Sequence, residues 1–204
     1  MFASLEIGTV QTIRKFAIWA LLLIAAPVVF FSGTPWNHLV HHGIETLGLF
    51  LIVVCILGRT WCSVYIVDRK NRELVSRGPY SVCRNPLYNF SIVGAAGIGA
   101  LTGSLVLALA GAIATAFVFY LVVLREERLL LSLHGDEYER YLFRVPRFLP
   151  KFSLYINGFV SNVNLTGVFR TFADACIFLV ALPIIELLEY AKGIGVIQIV
   201  FKIP

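Results

Sequence analysis

Long apolar runs separated by short polar segments dominate the chain. A helix needs about 20 predominantly apolar residues to cross a bilayer, and five runs approach or reach that length. These runs cover residues 16–31, 44–57 (extending toward 67), 87–101, 104–124 and 172–188. A further apolar tail at 194–203 is too short to cross and is expected to be interfacial or re-entrant. The pattern predicts an all-α, multi-span integral membrane helical bundle of about five spans.

Composition supports this prediction and excludes one class of partner. Hydrophobic residues make up 58% of the 204 residues and charged residues 14%, against about 25% charged in soluble domains. The net charge of +5 does not indicate nucleic acid, because the basic residues border apolar runs, where anionic lipid headgroups attract them. We therefore expect membrane lipids, and no nucleic acid, around the chain.

The distribution of basic residues predicts the orientation. Of the 17 Lys and Arg, six lie in residues 59–84 and six in 125–151, whereas 32–43 and 102–103 contain none. The positive-inside rule makes the two basic segments cytoplasmic. The chain is then expected to be an integral membrane protein, in the inner or plasma membrane if it comes from a bacterium, with its active site on the cytoplasmic face. Both segments flank one helical hairpin and are able to converge on a single site.

Small residues fill that hairpin. Gly94, Gly97 and Gly99 lie on one arm, and Ala108, Ala112 and other small residues on the other. Such residues let backbones approach closely in lipid. The glycines are not preceded by a strand pattern, so helix packing explains them better than a nucleotide-binding loop does.

The first polar segment, residues 74–88, contains a turn at Gly78-Pro79. Asn85 suits the cap of the next span and Pro86 its first helical position. Tyr80 and Tyr88 are also compatible with a role as interface aromatics.

The second polar segment, residues 125–150, begins with two adjacent acidic residues, Glu126 and Glu127. Acidic groups at a membrane boundary are costly unless they are paired. One interpretation is that the neighbouring Arg125 and Arg128 neutralise them; the other is that a glutamate binds a cationic ligand. Gly135 is expected to end one helix before another begins.

Taken together, these segments resemble one family. Gly-Pro-Tyr at 78–80, Arg-Asn-Pro-Leu-Tyr at 84–88, the small-residue hairpin, Glu-Glu at 126–127 and the Tyr and Val-Pro spacing of 135–150 are similar to the isoprenylcysteine carboxyl methyltransferase family. That family is related to the membrane phospholipid N-methyltransferases. The resemblance covers residues 74–150 and implies S-adenosylmethionine bound between the cytoplasmic loops.

The resemblance also implies roles for particular residues. Catalytic roles fall to Arg84, Glu127 and Arg144. The implied cofactor-binding residues are Tyr80, Asn85, Pro86, Tyr88, Glu126, Glu127, Tyr138 and Tyr141. Two positions depart from the family pattern, because Asn85 stands where the isoprenylcysteine enzymes usually have His, and Phe90 stands where a Gly is usual.

We expect a single membrane domain over 1–204, with a methyltransferase-like core at 74–150 and a C-terminal extension at 151–204 that adds one apolar span. The expected activity is S-adenosylmethionine-dependent methylation of a lipophilic substrate, lipid or prenylated small molecule or protein, by carboxyl O-methylation of an isoprenylcysteine-type acceptor. Amine N-methylation of a phospholipid is the alternative. A non-catalytic scaffold and a metal or ion transporter are rivals, the latter because His38, His41, His42 and Glu45 have helical spacing. No metal site is expected.

Overall fold

The computed structural model describes residue 20, residues 23–67, residue 69, and residues 73–158 and 163–204. Part of the first expected span, residues 16–19 and 21–22, lies outside the described residues, while 23–31 are helical (α1). The helices that follow are α2 (His38–Ile66), α3 (Pro79–Val82), α4 (Pro86–Leu101), α5 (Leu105–Arg144), α6 (Leu165–Cys176) and α7 (Ala181–Gly193). Short 3₁₀ turns occupy Phe152–Leu154 and Ile177–Val180.

Membrane-spanning helices dominate the fold, as the hydrophobic pattern predicts. Among the described residues, three helical segments are long and apolar enough to cross a bilayer: His38–Ile66, Leu105–Arg144 and Leu165–Gly193. The third expected span forms the shorter α4, whose 16 residues rise about 24 Å at 1.5 Å per residue. The fifth, residues 172–188, lies within the segment Leu165–Gly193. The all-α membrane architecture is therefore confirmed.

Glycines set how closely the helices approach. A Cβ on Gly48 of α2 would meet the backbone of Gly97 and Leu101 on α4, and a Cβ on Gly99 would meet the backbone of Leu107 on α5. Such contacts require residues without side chains, as expected for helices that pack in lipid. The glycines of α4 thus pack helices together and do not form a nucleotide-binding loop.

The helices are antiparallel along the bundle and define two ends. The start of α2 lies at the same end as the 102–104 turn, since His41 lies against Gly103, while Gly58 lies against Phe90 at the other. The segment α6–α7 also runs antiparallel to α2, because Gly167 contacts Val67 and Glu189 contacts His41. We call the two ends the His38 end and the Glu127 end.

Proline and glycine account for two interruptions. The helix α5 breaks at Gly135, which has φ 51°, a conformation that glycine adopts without steric cost; the predicted helix end at this residue is confirmed. Pro183 follows the 3₁₀ turn Ile177–Val180. Because proline has no N–H and clashes with the carbonyl four residues earlier, tighter winding just before it is expected.

The C-terminal tail closes the His38 end. Strands β1 (Ser32–Gly33) and β2 (Phe201–Lys202) pair in parallel. The Pro204 carbonyl accepts hydrogen bonds from the Ser104 hydroxyl at 2.7 Å and from the Val106 N–H at 3.0 Å, at the start of α5. The tail therefore folds back over the helix ends, in keeping with its expected failure to cross.

Candidate functional site

The hairpin of α4 and α5 brings Tyr88 next to Glu126. The Tyr88 ring stacks on Phe119 with 4.5 Å between ring centroids. This packing orients the Tyr88 side chain toward Glu126. The Tyr88 hydroxyl lies 3.0 Å from each carboxylate oxygen of Glu126. Both residues were implicated in cofactor binding by the resemblance, and the structure places them in direct contact.

Glu127 lies between two guanidinium groups. Arg147 donates from Nε and Nη2 to its two oxygens at 2.7 to 3.2 Å, and Arg84 Nη2 lies 3.3 Å from Oε1. The side chains of Arg84 and Glu127 are only 10% and 11% exposed. A bidentate guanidinium–carboxylate pair is among the strong, geometrically specific contacts in proteins. Hydrogen bonding to Glu127 also raises the pKa of the Arg147 guanidinium, so this guanidinium stays charged.

Backbone and amide hydrogen bonds join the two polar segments around this cluster. The Arg84 N–H donates to the Pro146 carbonyl at 2.9 Å. The side-chain amide of Asn85 donates to the Arg147 carbonyl at 3.2 Å and that of Asn89 to the Phe148 carbonyl at 2.6 Å. The convergence of the two segments on one place, expected from the charge pattern, is thus present in the structure.

Asn85 does not act as the predicted helix cap. It occupies the N-cap position of α4, with Pro86 at the first helical position as predicted, but its side chain makes no capping hydrogen bond. The amide instead reaches the carbonyl of Arg147. Asn85 therefore orients the segment that carries a guanidinium of the site.

Tyr138 and Tyr141 border the cluster of Arg84, Glu127 and Arg147, on the part of α5 that follows the kink at Gly135. Tyr138 and Tyr141 are buried after Gly135, and the Tyr141 hydroxyl donates to the Tyr80 carbonyl at 2.7 Å. Tyr80 is itself buried, and burial holds its pKa well above the ordinary value. Its hydroxyl and the Nε of Arg84 are buried polar atoms without a hydrogen-bond partner among the described residues. Such atoms are costly unless something binds them.

The interpretation that Arg125 and Arg128 neutralise the acidic pair does not hold for Glu127. Arg125 and Arg128 are exposed, and the ion pairs that the described residues form with Glu127 come from Arg84 and Arg147 instead. Arg144, the third residue implicated in catalysis, is also exposed. Its role stays a prediction.

Arg147 and Asn89 were missed by the sequence reasoning. Arg147 lies between Pro146 and Pro150, where the family pattern does not require any particular residue. Asn89 directly follows the Arg-Asn-Pro-Leu-Tyr stretch. The available signal was the acidic pair itself, since a glutamate at a membrane boundary requires a basic partner.

The comparisons with known proteins agree with the resemblance. Residues 47–137 match the family model for phospholipid methyltransferases. The chain is 34% identical to the nickel-cobalt-cadmium resistance protein NccN of Alcaligenes xylosoxydans xylosoxydans over 186 residues, 89% of this chain and 87% of that protein. It is 32% identical to the cobalt-zinc-cadmium resistance protein CzcN of Cupriavidus metallidurans over 191 residues, 93% of this chain and 88% of that protein.

No solved structure matches the chain. The match at residues 47–137 includes the α4–α5 hairpin and the two glutamates, and the two relatives extend the similarity over most of the chain. The protein therefore belongs to the isoprenylcysteine carboxyl methyltransferase-like family of membrane proteins and contains its phospholipid methyltransferase domain.

Proposed function

We propose that this protein is an S-adenosylmethionine-dependent methyltransferase that acts on a lipophilic substrate at the Glu127 end of the bundle, on the cytoplasmic face. The observation that carries the proposal is the cluster of Arg84, Glu127 and Arg147 beside the Tyr88–Glu126 contact. It combines buried charges of both signs with aromatic rings at the end of apolar helices.

The residues of the cluster fit the chemical groups of the donor. S-adenosylmethionine carries a carboxylate, an ammonium group, ribose hydroxyls and a sulfonium. The buried Arg84 Nε and the Tyr80 hydroxyl supply unused hydrogen-bonding capacity, suited to the donor's carboxylate and to a hydroxyl. Glu126 supplies carboxylate oxygens for the ammonium or the ribose. When bound, the cofactor supplies a methyl group activated by the positive sulfur.

The protein's own contribution is mainly orientation. Because the methyl group is already activated, holding donor and acceptor in line accounts for much of the rate enhancement. Glu127 fixes the positions of Arg84 and Arg147, and Asn85 and Asn89 fix the segment that carries Arg147. The stacked rings of Tyr88 and Phe119 offer π-electron density that favours a nearby cation.

The engagement of the two glutamates favours a carboxylate acceptor. Glu127 already accepts hydrogen bonds from Arg147 and pairs with Arg84, and Glu126 accepts one from Tyr88. Neither is set up to remove a proton from an ammonium group, which amine N-methylation requires. A carboxylate is ionised at neutral pH and needs no base. We therefore propose O-methylation of an isoprenylcysteine-type carboxylate, with phospholipid amine N-methylation as the alternative.

A turnover assay separates these two acceptors. Purified protein in lipid vesicles receives methyl-labelled donor with either a farnesylated cysteine or phosphatidylethanolamine. Base releases label from a methyl ester but not from an N-methyl amine. We expect base-labile label with the prenylated cysteine. The Glu127→Gln variant should be inactive, and Glu137→Gln, which alters an exposed glutamate of the same helix, should be fully active. Base-stable label would instead support the phospholipid alternative, and no label with either lipid would support the scaffold.

The names of the two relatives suggest a setting for the reaction. Both are named for resistance to divalent metal ions, and we propose that methylation by this chain supports such resistance. Cells that produce the wild-type protein should tolerate cadmium or cobalt better than cells that produce Glu127→Gln. Equal protection by both proteins would show that resistance does not depend on methylation.

A further inference from the structure

A pair of histidines stands on the first turns of α2, at the His38 end. The Nε2 atoms of His38 and His42 lie 3.0 Å apart, and both residues are exposed. They are four positions apart in a helix, the spacing that places two imidazoles on one face and serves metal binding in other helices.

A carboxylate orients one of the two rings. Glu45 Oε2 lies 2.7 Å from Nδ1 of His42. An Nδ1–H donated to a carboxylate leaves the lone pair on Nε2, and this fixed tautomer is the usual arrangement around histidines that bind metals. His42 Nε2 then accepts the proton of His38 Nε2 at 3.0 Å. When His38 releases this proton, both Nε2 atoms are able to act as ligands, and their separation suits one metal ion at about 2.1 Å from each.

The neighbouring His41 uses its ring nitrogens to contact other residues, Thr34 and Glu189. Its Nδ1 lies 3.0 Å from the Thr34 hydroxyl and its Nε2 lies 3.2 Å from Glu189 on α7. It thus faces a cavity of about 280 Å³ between α1, α2 and α7. His41 is therefore a natural control residue, with the same side chain one position away from the pair.

We propose that His38 and His42 bind one divalent transition-metal ion, such as Zn²⁺ or Ni²⁺, through their Nε2 atoms, with Glu45 orienting His42. Imidazole is a preferred ligand for these ions. The described residues contain no cluster of three or more His, Cys, Asp or Glu side chains arranged for a metal, so water completes the coordination sphere. Two protein ligands make the site open and exchangeable.

The site is separate from the methyltransferase site. From His38 to Arg59, the helix α2 rises about 30 Å at 1.5 Å per residue, and the Arg84–Glu127 cluster lies at its far end. The inference concerns binding at the opposite surface of the bundle and does not depend on the proposed reaction.

Calorimetric titration of the full-length protein tests the proposal. The protein is purified in detergent with an affinity tag that contains no histidine, and Zn²⁺ and Ni²⁺ are titrated separately. We expect one ion per chain, with affinity at least tenfold weaker in His38→Ala and in His42→Ala. Glu45→Gln should weaken binding by about tenfold, and His41→Gln should leave it unchanged.

A stability control makes the result decisive. Melting curves without metal should be alike for the wild-type protein, His38→Ala and His42→Ala, since both histidines of the pair are exposed. The proposal fails if the wild-type protein shows no saturable binding, or if His38→Ala and His42→Ala bind the ion as tightly as the wild-type protein does.

Discussion

Arg147 donates hydrogen bonds from Nε and Nη2 to the carboxylate of Glu127, which lies twenty residues earlier in the chain. This contact fastens the segment after α5 back onto the helix it has just left. Because Arg84 reaches the same carboxylate from the start of α4, one side chain holds three parts of the chain together. Glu127 is thereby a positioning residue for two guanidinium groups.

Replacing Glu127 with Gln should destabilise the protein by about 2–3 kcal/mol, because it leaves two partly buried cations without their anion. Thermal unfolding of detergent-purified protein measures the loss. Glu137→Gln, which removes an exposed carboxylate of the same helix, should change stability by less than about 0.5 kcal/mol. Equal melting temperatures for the two variants would show that the ion pairs contribute no net stability.

The Tyr88 hydroxyl and the Glu126 carboxylate should be energetically coupled. Tyr88→Phe keeps the ring that stacks on Phe119 and removes the hydroxyl that donates to Glu126. In a double-mutant cycle with Glu126→Gln, we expect a coupling of about 1–2 kcal/mol in the free energy of cofactor binding. Purely additive losses would mean that the two side chains act independently.

Phe90, the departure from the family's usual Gly, is accommodated by a glycine on α2. A Cβ on Gly58 would collide with the Phe90 ring. Gly58→Ala should therefore destabilise the protein by about 1–3 kcal/mol through overpacking. Phe90→Ala combined with Gly58→Ala should recover part of that loss. If Phe90→Ala makes the Gly58→Ala variant still less stable, the two positions do not compensate one another.

Cys83 should be unreactive in the folded protein. Its thiol is buried, and burial raises its pKa to about 11. A thiol with this pKa is about one part in a thousand ionised at pH 8, and the thiolate is the form that reacts. Site-resolved mass spectrometry after maleimide treatment should show little label at Cys83 at pH 7, more at pH 9, and full label in SDS. Rapid labelling of the native protein at pH 7 would contradict the described burial.

The sequence predicts the helices and the meeting of the two polar segments, because both follow from strong, local or additive signals. Apolar runs define the spans, and the basic residues predict that the segments flanking the hairpin share a face. Gly135 ends a helix as expected, since its break depends only on its own backbone.

The hydrogen-bond and ion-pair partners of individual side chains could not be predicted from the sequence. The sequence predicts that Asn85 caps a helix, but its side-chain amide donates a hydrogen bond to the carbonyl of Arg147, 62 residues later in the chain. Neighbouring arginines looked suited to neutralise Glu127, but along a helix, residues one apart point in different directions. Arg125 and Arg128 therefore lie exposed, while Arg84 and Arg147 arrive from other elements. Such pairings depend on the tertiary path of the loops, which no local pattern encodes.

Calorimetric binding of S-adenosylmethionine and S-adenosylhomocysteine to the detergent-purified protein tests the central claim most directly. We predict micromolar binding of both compounds by the wild-type protein and by Glu137→Gln. Glu127→Gln should lose binding at a temperature where it remains folded by its melting curve. Absence of binding by folded wild-type protein, also with added lipid, would contradict the proposed methyltransferase and leave the family membership as a statement about fold.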